Sequence, residues 1–229
     1  MVNRDAVDVL IIGAGISGLL CATELQAQGA RVLVVDKGRG VGGRLSTRLM
    51  SGARIDHGAQ FFTVRTPAFA SFLSKYESCF NEWPARVVTL SPHGKPYGRP
   101  WFEPHYVCTP TMNALCKAIA AGTTVHTGYI VERVTGTPGH WFLESQDALS
   151  GPFDWVVSTA PLPQSELLLQ LKLPVAEYAP VFALMVPLAS NPTWDAAVVK
   201  DSPLAWLAVS SSRPGRAAEH GLVVHADTD

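Results

Sequence analysis

The chain has 229 residues, 47% of them hydrophobic and only 16% charged, with a formal net charge of −1. That length suits one large domain or two smaller ones around a sizeable core, and the balanced charge gives no reason to expect nucleic acid or an anionic membrane as partner. Cys21, Cys79, Cys108 and Cys116 form no CxxC pair and no His-associated metal spacing, so they read as reduced thiols of a cytoplasmic protein and no metal site is expected.

Arg4 followed by an apolar stretch, with Leu19-Leu20-Cys21 beyond it, has the outline of an export signal. Asp8 interrupts that stretch and Leu20 is too bulky to precede a lipoprotein cysteine, so export is not expected. No apolar run reaches the ~20 residues that a membrane helix needs. The same N-terminal residues make better sense as an apolar strand, 7–12, running into Gly13-Ala14-Gly15-Ile16-Ser17-Gly18. The spacing predicts a helix over 17–28, stopped by Gly29. A helix starting at a glycine turn aims its free N–H groups and positive dipole end at one spot, which suits a pyrophosphate. Gly13 allows the turn, Gly15 lets a phosphate approach the backbone, and Gly18 lets the helix press on the sheet. A second strand, 31–35, ends in Asp36, an acid placed to accept hydrogen bonds from an adenosine ribose. Residues 36–44 form a second glycine-rich stretch ending in a cation, Arg44. A dinucleotide with a tricyclic head needs such a second loop, and the Arg44 fork would offset pyrophosphate charge.

Residues 45–62 read as loop and short strand. Thr66-Pro67 carries an N-cap followed by proline at the first helical position, and Phe69, Phe72, Leu73 and Tyr76 repeat as a packed helical stripe. A strand over 86–90 and a turn-rich stretch over 91–98 follow. Thr109-Pro110 repeats the cap-plus-proline signal and predicts a helix to Ala121. Strands are predicted over 124–126, 129–135, 141–145 and 153–158, and a helix over 163–171. From residue 175 the texture changes. Short strands over 181–188, 196–200, 204–210 and 222–225, with turn signals between them, predict an antiparallel sheet.

The joint pattern resembles the flavoprotein oxidoreductases of the amine-oxidase type, whose second motif is an acid followed shortly by Gly-Gly-Arg. Residues 55–63 look like the segment beneath the isoalloxazine ring in those proteins. Gly58-Ala59-Gln60-Phe61 followed by Thr63 is similar to the renalases, above all the bacterial ones. Residues 106–115 resemble their next motif, at the start of a helix that returns to the flavin domain, although the glycines expected near Cys108 and Thr111 are absent. Residues 202–207 and 212–216 look like a strand and turn of the bacterial renalase substrate domain.

The resemblance implies an α/β fold of the p-hydroxybenzoate hydroxylase and amine-oxidase kind. A Rossmann-type FAD-binding domain with a parallel sheet would take residues 1–62 and 106–165. A mainly antiparallel substrate domain would take 63–105 and 166–229. That second domain is expected to be incomplete, because the sequence stops before the segment with which the family closes back on its nucleotide domain. The implied FAD contacts are Gly13, Gly15, Ile16, Ser17 and Gly18 in the first motif, and Asp36, Lys37, Gly43 and Arg44 in the second. His57, Gly58, Ala59, Gln60 and Phe61 follow in the third, with Val134 and Pro161 further on. No catalytic side chain is implied. Flavin N5 would take a hydride from a dihydro-NAD(P) isomer and dioxygen would take the electrons, giving NAD(P)+ and hydrogen peroxide. The alternatives are a flavin amine oxidase or desaturase on another substrate, and an inactive nucleotide-binding remnant. His57 is read either as a hydrogen-bond partner near the ring or as a backbone-bonding residue. Trp101, Phe102 and Tyr106 are read as substrate walls or core. Arg99 and Arg216 are read as phosphate contacts or solvated side chains.

Overall fold

The computed structural model describes residues 7–146, 150–174 and 176–226. Arg4, Val175 and Asp229, which enter the sequence reading, lie outside them. The chain divides into two compact units, Met1–Gly43 with Cys116–Glu177, and Arg44–Leu115 with Tyr178–Asp229. The exchanges at 43, 115 and 177 differ from the expected 62, 105 and 165 for a packing reason. The 47–62 stretch bonds to C-terminal residues: Asp56 meets Arg213 and Arg216, and His57 meets His225. The helix Leu162–Leu169 instead sends Leu168 and Leu169 into the core of the first unit.

In the first unit, the strand Val9–Ile12 is buried along its whole length. A continuous apolar run suits a strand covered on both faces. It lies inside a four-stranded parallel sheet in the order Trp155–Ser158, Val9–Ile12, Val32–Asp36, Thr124–Thr127. Val9 aligns with Val32 on one side and Trp155 on the other. Parallel neighbours need a crossover, and the helix Ile16–Ala27 supplies the first one, with Leu19 and Ala22 buried. Asp8, which breaks the apolar run, fastens the strand starts: its carboxylate accepts the Arg31 backbone N–H at 3.0 Å and the Arg31 guanidinium. A three-stranded antiparallel sheet, Arg133–Thr137, His140–Glu144 and Ser150–Phe153, completes the core. Its Val134, Leu143 and Phe153 pack on Leu10, Ile12, Leu33 and Val35.

Two predicted strands change here. The single strand over 153–158 is two, because the Asp154 and Trp155 N–H groups both turn to the Asp8 carbonyl, at 3.0 and 3.1 Å. The strand expected from 129 begins at Arg133, since the Tyr129 N–H is taken by the Asp36 carbonyl at 2.9 Å.

The second unit carries a six-stranded sheet in the order Ala183–Pro187, Gly221–Ala226, Leu204–Val209, Ala196–Val199, Val87–Leu90, Tyr97–Gly98. It is antiparallel except where Ala196–Val199 runs parallel to Val87–Leu90. Two ribbons join it, Thr47–Met50 with Ala53–Asp56 and Phe80–Glu82 with Tyr106–Cys108. Thr66 caps the helix Pro67–Leu73 as expected, its hydroxyl accepting the Phe69 N–H at 3.2 Å. Thr109-Pro110 does not open a helix. The Met112 N–H is held by the Asp56 carboxylate at 3.1 Å, and the helix starts only at Ala114, running to Ala120 across the division between the units. Among the described residues no helix is long and apolar enough to cross a membrane.

Candidate functional site

In the first unit the glycine turn separates residues that the fold requires from one that it does not. Gly13 adopts φ +112°, a left-handed conformation that favours glycine, and a Cβ there would lie 2.5 Å from the Thr159 hydroxyl. A Cβ on Gly18 would lie 2.0 Å from the Gly13 carbonyl oxygen. Gly15 is extended, at φ −76° and ψ 176°, which any residue can adopt. A Cβ on Gly15 would meet nothing nearer than Gly43 Cα at 4.0 Å. The open space lies at the N-terminus of the Ile16–Ala27 helix, which has no side-chain cap and no acidic residue in its first turn. Uncompensated N–H groups beside open space fit an anionic phosphate.

The second glycine stretch is held against the first. The Gly42 N–H donates to the Ala14 carbonyl at 2.9 Å, and Gly15 bridges Gly42 in parallel register. Asp36 ties both loops, because its carboxylate accepts the N–H of Ala14 and the N–H of Gly38, each at 2.6 Å. A carboxylate has about four acceptor positions, so two such bonds leave capacity for ribose hydroxyls. Lys37 is exposed beside it. Sequence reasoning missed Thr159, whose hydroxyl reaches the carbonyls of Ile12 and Gly13 at 3.1 and 3.2 Å. The signal was available: a hydroxyl follows the strand that pairs with Val9–Ile12. Val134 is a core residue by its side chain, so only its backbone is free for a ligand. Pro161 is half-buried and N-caps the helix Leu162–Leu169.

In the second unit, Arg44 is exposed, and its carbonyl accepts the Ala59 N–H at 2.9 Å. A Cβ on Gly58 would lie 2.0 Å from that carbonyl oxygen, so only glycine permits the approach. Behind this turn lies a buried charge network that sequence reasoning did not find. Asp56, 1% exposed, accepts the Met112 N–H and the Thr47 hydroxyl. Its other oxygen faces Arg216 at 2.9 Å and Arg213 at 3.3 Å. The two guanidiniums outnumber the one carboxylate. Burial draws Arg213 down to about 10, which leaves it charged at neutral pH. Arg213 grips Gln60 twice, at its carbonyl (2.9 Å) and at its side-chain oxygen (2.8 Å), and stacks on Trp83 at 4.9 Å. Arg216 is 2% exposed and donates to the carbonyls of Pro110 and Arg54. It is therefore neither a solvated arginine nor a phosphate contact, which corrects both readings. A lone arginine in a turn gives no sequence signal for a carboxylate some 160 positions away. Arg99 is exposed.

The aromatic residues separate as well. Tyr106 stacks on Phe62 and meets Phe80 edge-on, a core role. Trp101, Phe102 and His105 line an open groove of about 300 Å³ with Glu82 and Glu103 on it, and Phe61 lies against Trp101 and His105 at 5.1 and 4.4 Å. The His57 backbone carbonyl accepts from His225 Nε2 at 3.1 Å, a bond that fixes the main chain at 57. Burial, then the Arg48 charge, holds the His57 imidazole below its ordinary value.

A family model described as an NAD(P)-binding Rossmann-like domain matches residues 11–76. The chain is 42% identical over 57 residues to hydroxyneurosporene desaturase of Rubrivivax gelatinosus, covering 25% of this chain and 11% of that protein. It is 46% identical over 55 residues to a protein named as a flavin-containing monoamine oxidase in Mycobacterium tuberculosis, covering 24% and 12%. The matched stretch of the chain thus covers about an eighth or less of the length of these curated relatives. A solved structure of a putrescine oxidase variant superposes with a TM-score of 0.73 at 14% identity, covering 98% of this chain and 76% of that one. At that identity the likeness is one of fold: a Rossmann-type parallel sheet joined to a mainly antiparallel unit.

Proposed function

We propose that the chain is an FAD-dependent oxidoreductase and, more narrowly, a renalase-like oxidase that takes a hydride from dihydro-NAD(P) isomers and passes electrons to dioxygen. The observation that carries the cofactor is the uncapped helix end beside Gly15, where the backbone leaves room that the fold itself does not use. There the N–H groups of Ile16 and Ser17 would hold the paired phosphates, and Arg44, joined to Gly43 by a peptide bond, would balance their charge. Asp36 would accept from the ribose while keeping the two glycine loops together. Lys37, His57, Ala59, Phe61 and the backbones of Val134 and Pro161 complete the proposed contact set. Bound FAD would supply a two-electron acceptor for the hydride. A dihydronicotinamide isomer becomes aromatic on losing hydride, so no side chain has to take a proton from it.

A second reading has one observation in its favour. The groove of Trp101, Phe102 and His105, with the Glu82 carboxylate on it, suits an organic ammonium, which would make the chain an amine oxidase. One experiment separates the readings. The purified chain, loaded with FAD, is mixed without oxygen with a dihydronicotinamide isomer and, separately, with amines. Loss of the yellow colour with the nicotinamide alone supports the narrower reading. Loss with amines alone replaces it by the second. A chain that stays colourless with added FAD is a remnant without the cofactor.

A further inference from the structure

We infer that Arg213 is a positioning residue for Arg44, acting through Gln60 and the 58–59 turn. This rests on the reading of Arg44 as the cation that meets the cofactor phosphates. The linkage is continuous within one unit. Arg213 holds the Gln60 carbonyl and side-chain oxygen with separate nitrogens, at 2.9 and 2.8 Å. The Gln60 amide nitrogen then donates to the carbonyls of Asp56 and Gly58, at 2.7 and 2.8 Å. Gly58 is pressed on the Arg44 carbonyl so closely that no Cβ fits, and the Ala59 N–H donates to that same carbonyl. A guanidinium 169 positions away in the sequence therefore fixes the backbone from which the Arg44 side chain projects.

The surroundings are built for this grip. Arg213 is 3% exposed and lies between the Trp83 ring and the Asp56 carboxylate. Arg216 shares that carboxylate, and anchors to the carbonyls of Pro110 and Arg54. With both arginines buried, neither one is free to reach a ligand. What Arg213 offers is a planar fork whose two prongs match two oxygens of one residue, a geometry that an ammonium cannot reproduce.

The test uses Arg213→Lys, which keeps the charge facing Asp56 and loses the fork, together with Arg213→Met, Arg44→Met and the Arg44→Met/Arg213→Lys pair. In the ligand-free protein, amide exchange at Ala59 should quicken about tenfold or more in Arg213→Lys, the scale of one lost buried hydrogen bond. Unchanged exchange there overturns the clamp, whether or not FAD binds. In FAD titrations, Arg213→Lys should raise Kd about tenfold and Arg44→Met by at least as much, while the pair should equal Arg44→Met alone. Independent, multiplying effects overturn the route through Arg44. If Arg44→Met alone leaves Kd unchanged, the phosphate role of Arg44 fails and takes this inference with it, although the exchange arm still decides whether the clamp exists. Should Arg213→Met fail to fold, the lysine variant carries every arm.

Discussion

A side chain on Gly18 would collide with the Gly13 carbonyl, whereas one on Gly15 would project into open space. The same letter in one motif thus serves packing at one position and leaves open space at the other. Gly18→Ala places its Cβ 2.0 Å from a backbone oxygen and should cost roughly 1–3 kcal/mol of stability, the scale of an overpacked contact. Gly15→Ala should melt within about 1 kcal/mol of the wild type, since its backbone suits alanine and exchanging a glycine N-cap for alanine costs no more than that order. Its FAD Kd should nevertheless rise about tenfold, equal to ~1.4 kcal/mol of binding. Paired thermal melts and FAD titrations check both, and a Gly15→Ala protein that binds normally argues against phosphates at that spot. Asp56 allows a harsher test. Asp56→Asn keeps the shape but leaves Arg213 and Arg216 buried without a counter-charge. The expected loss is roughly 3–5 kcal/mol in urea unfolding.

At the scale of elements, local signals were read correctly where local chemistry decides. The apolar run of Val9–Ile12, the helix stop at Gly29 and the Thr66 cap needed no knowledge of distant residues. The failures fall where a remote group takes a backbone N–H. Asp56 takes that of Met112, so the cap-plus-proline pattern at Thr109-Pro110 opens no helix there. The Asp8 carbonyl takes those of Asp154 and Trp155 and cuts one apparent strand into two. The site divides in the same way. Gly13, Gly15, Gly18 and Asp36 were legible because a strand, a turn and a helix stand next to one another in sequence. The Asp56–Arg213–Arg216 network was not, because its members meet only after the second unit has folded. Thr159 lies between these cases, tying the end of one strand to the turn after its neighbour. Thr159→Val keeps the branched shape and removes the hydroxyl, and should cost about 1 kcal/mol in urea unfolding. No change in the unfolding midpoint would mean that the Ile12 and Gly13 carbonyls gain nothing from it.

For the whole molecule, the direction of the acid response follows from three histidines, all in the second unit. His57, His105 and His225 are each held below the ordinary imidazole value, in every case first by burial. Hydrogen bonding and the neighbouring Glu103 charge oppose the shift at His105, and the bond to the His57 carbonyl opposes it at His225. Above pH ~6.5 the unfolded chain keeps these rings neutral too, so they give stability no pH dependence. As the pH drops through that value the unfolded chain takes up protons that the folded one refuses, and unfolding gains free energy until the lowered folded values are reached. The shifted carboxylates act elsewhere. Arg31 holds Asp8 down to about 2 and Arg65 holds Glu103 below its usual range, so what these pairs contribute is lost only as the pH falls below ordinary carboxylate values. The melting temperature should therefore be level from pH 8 to 7 and fall as the pH drops below about 6.5. His225→Gln should flatten that fall, since glutamine can still donate to the His57 carbonyl but cannot take up a proton. A melting temperature that rises as the pH drops below that value, or a His225→Gln slope equal to that of the wild type, would show that buried neutral imidazoles do not govern the acid response.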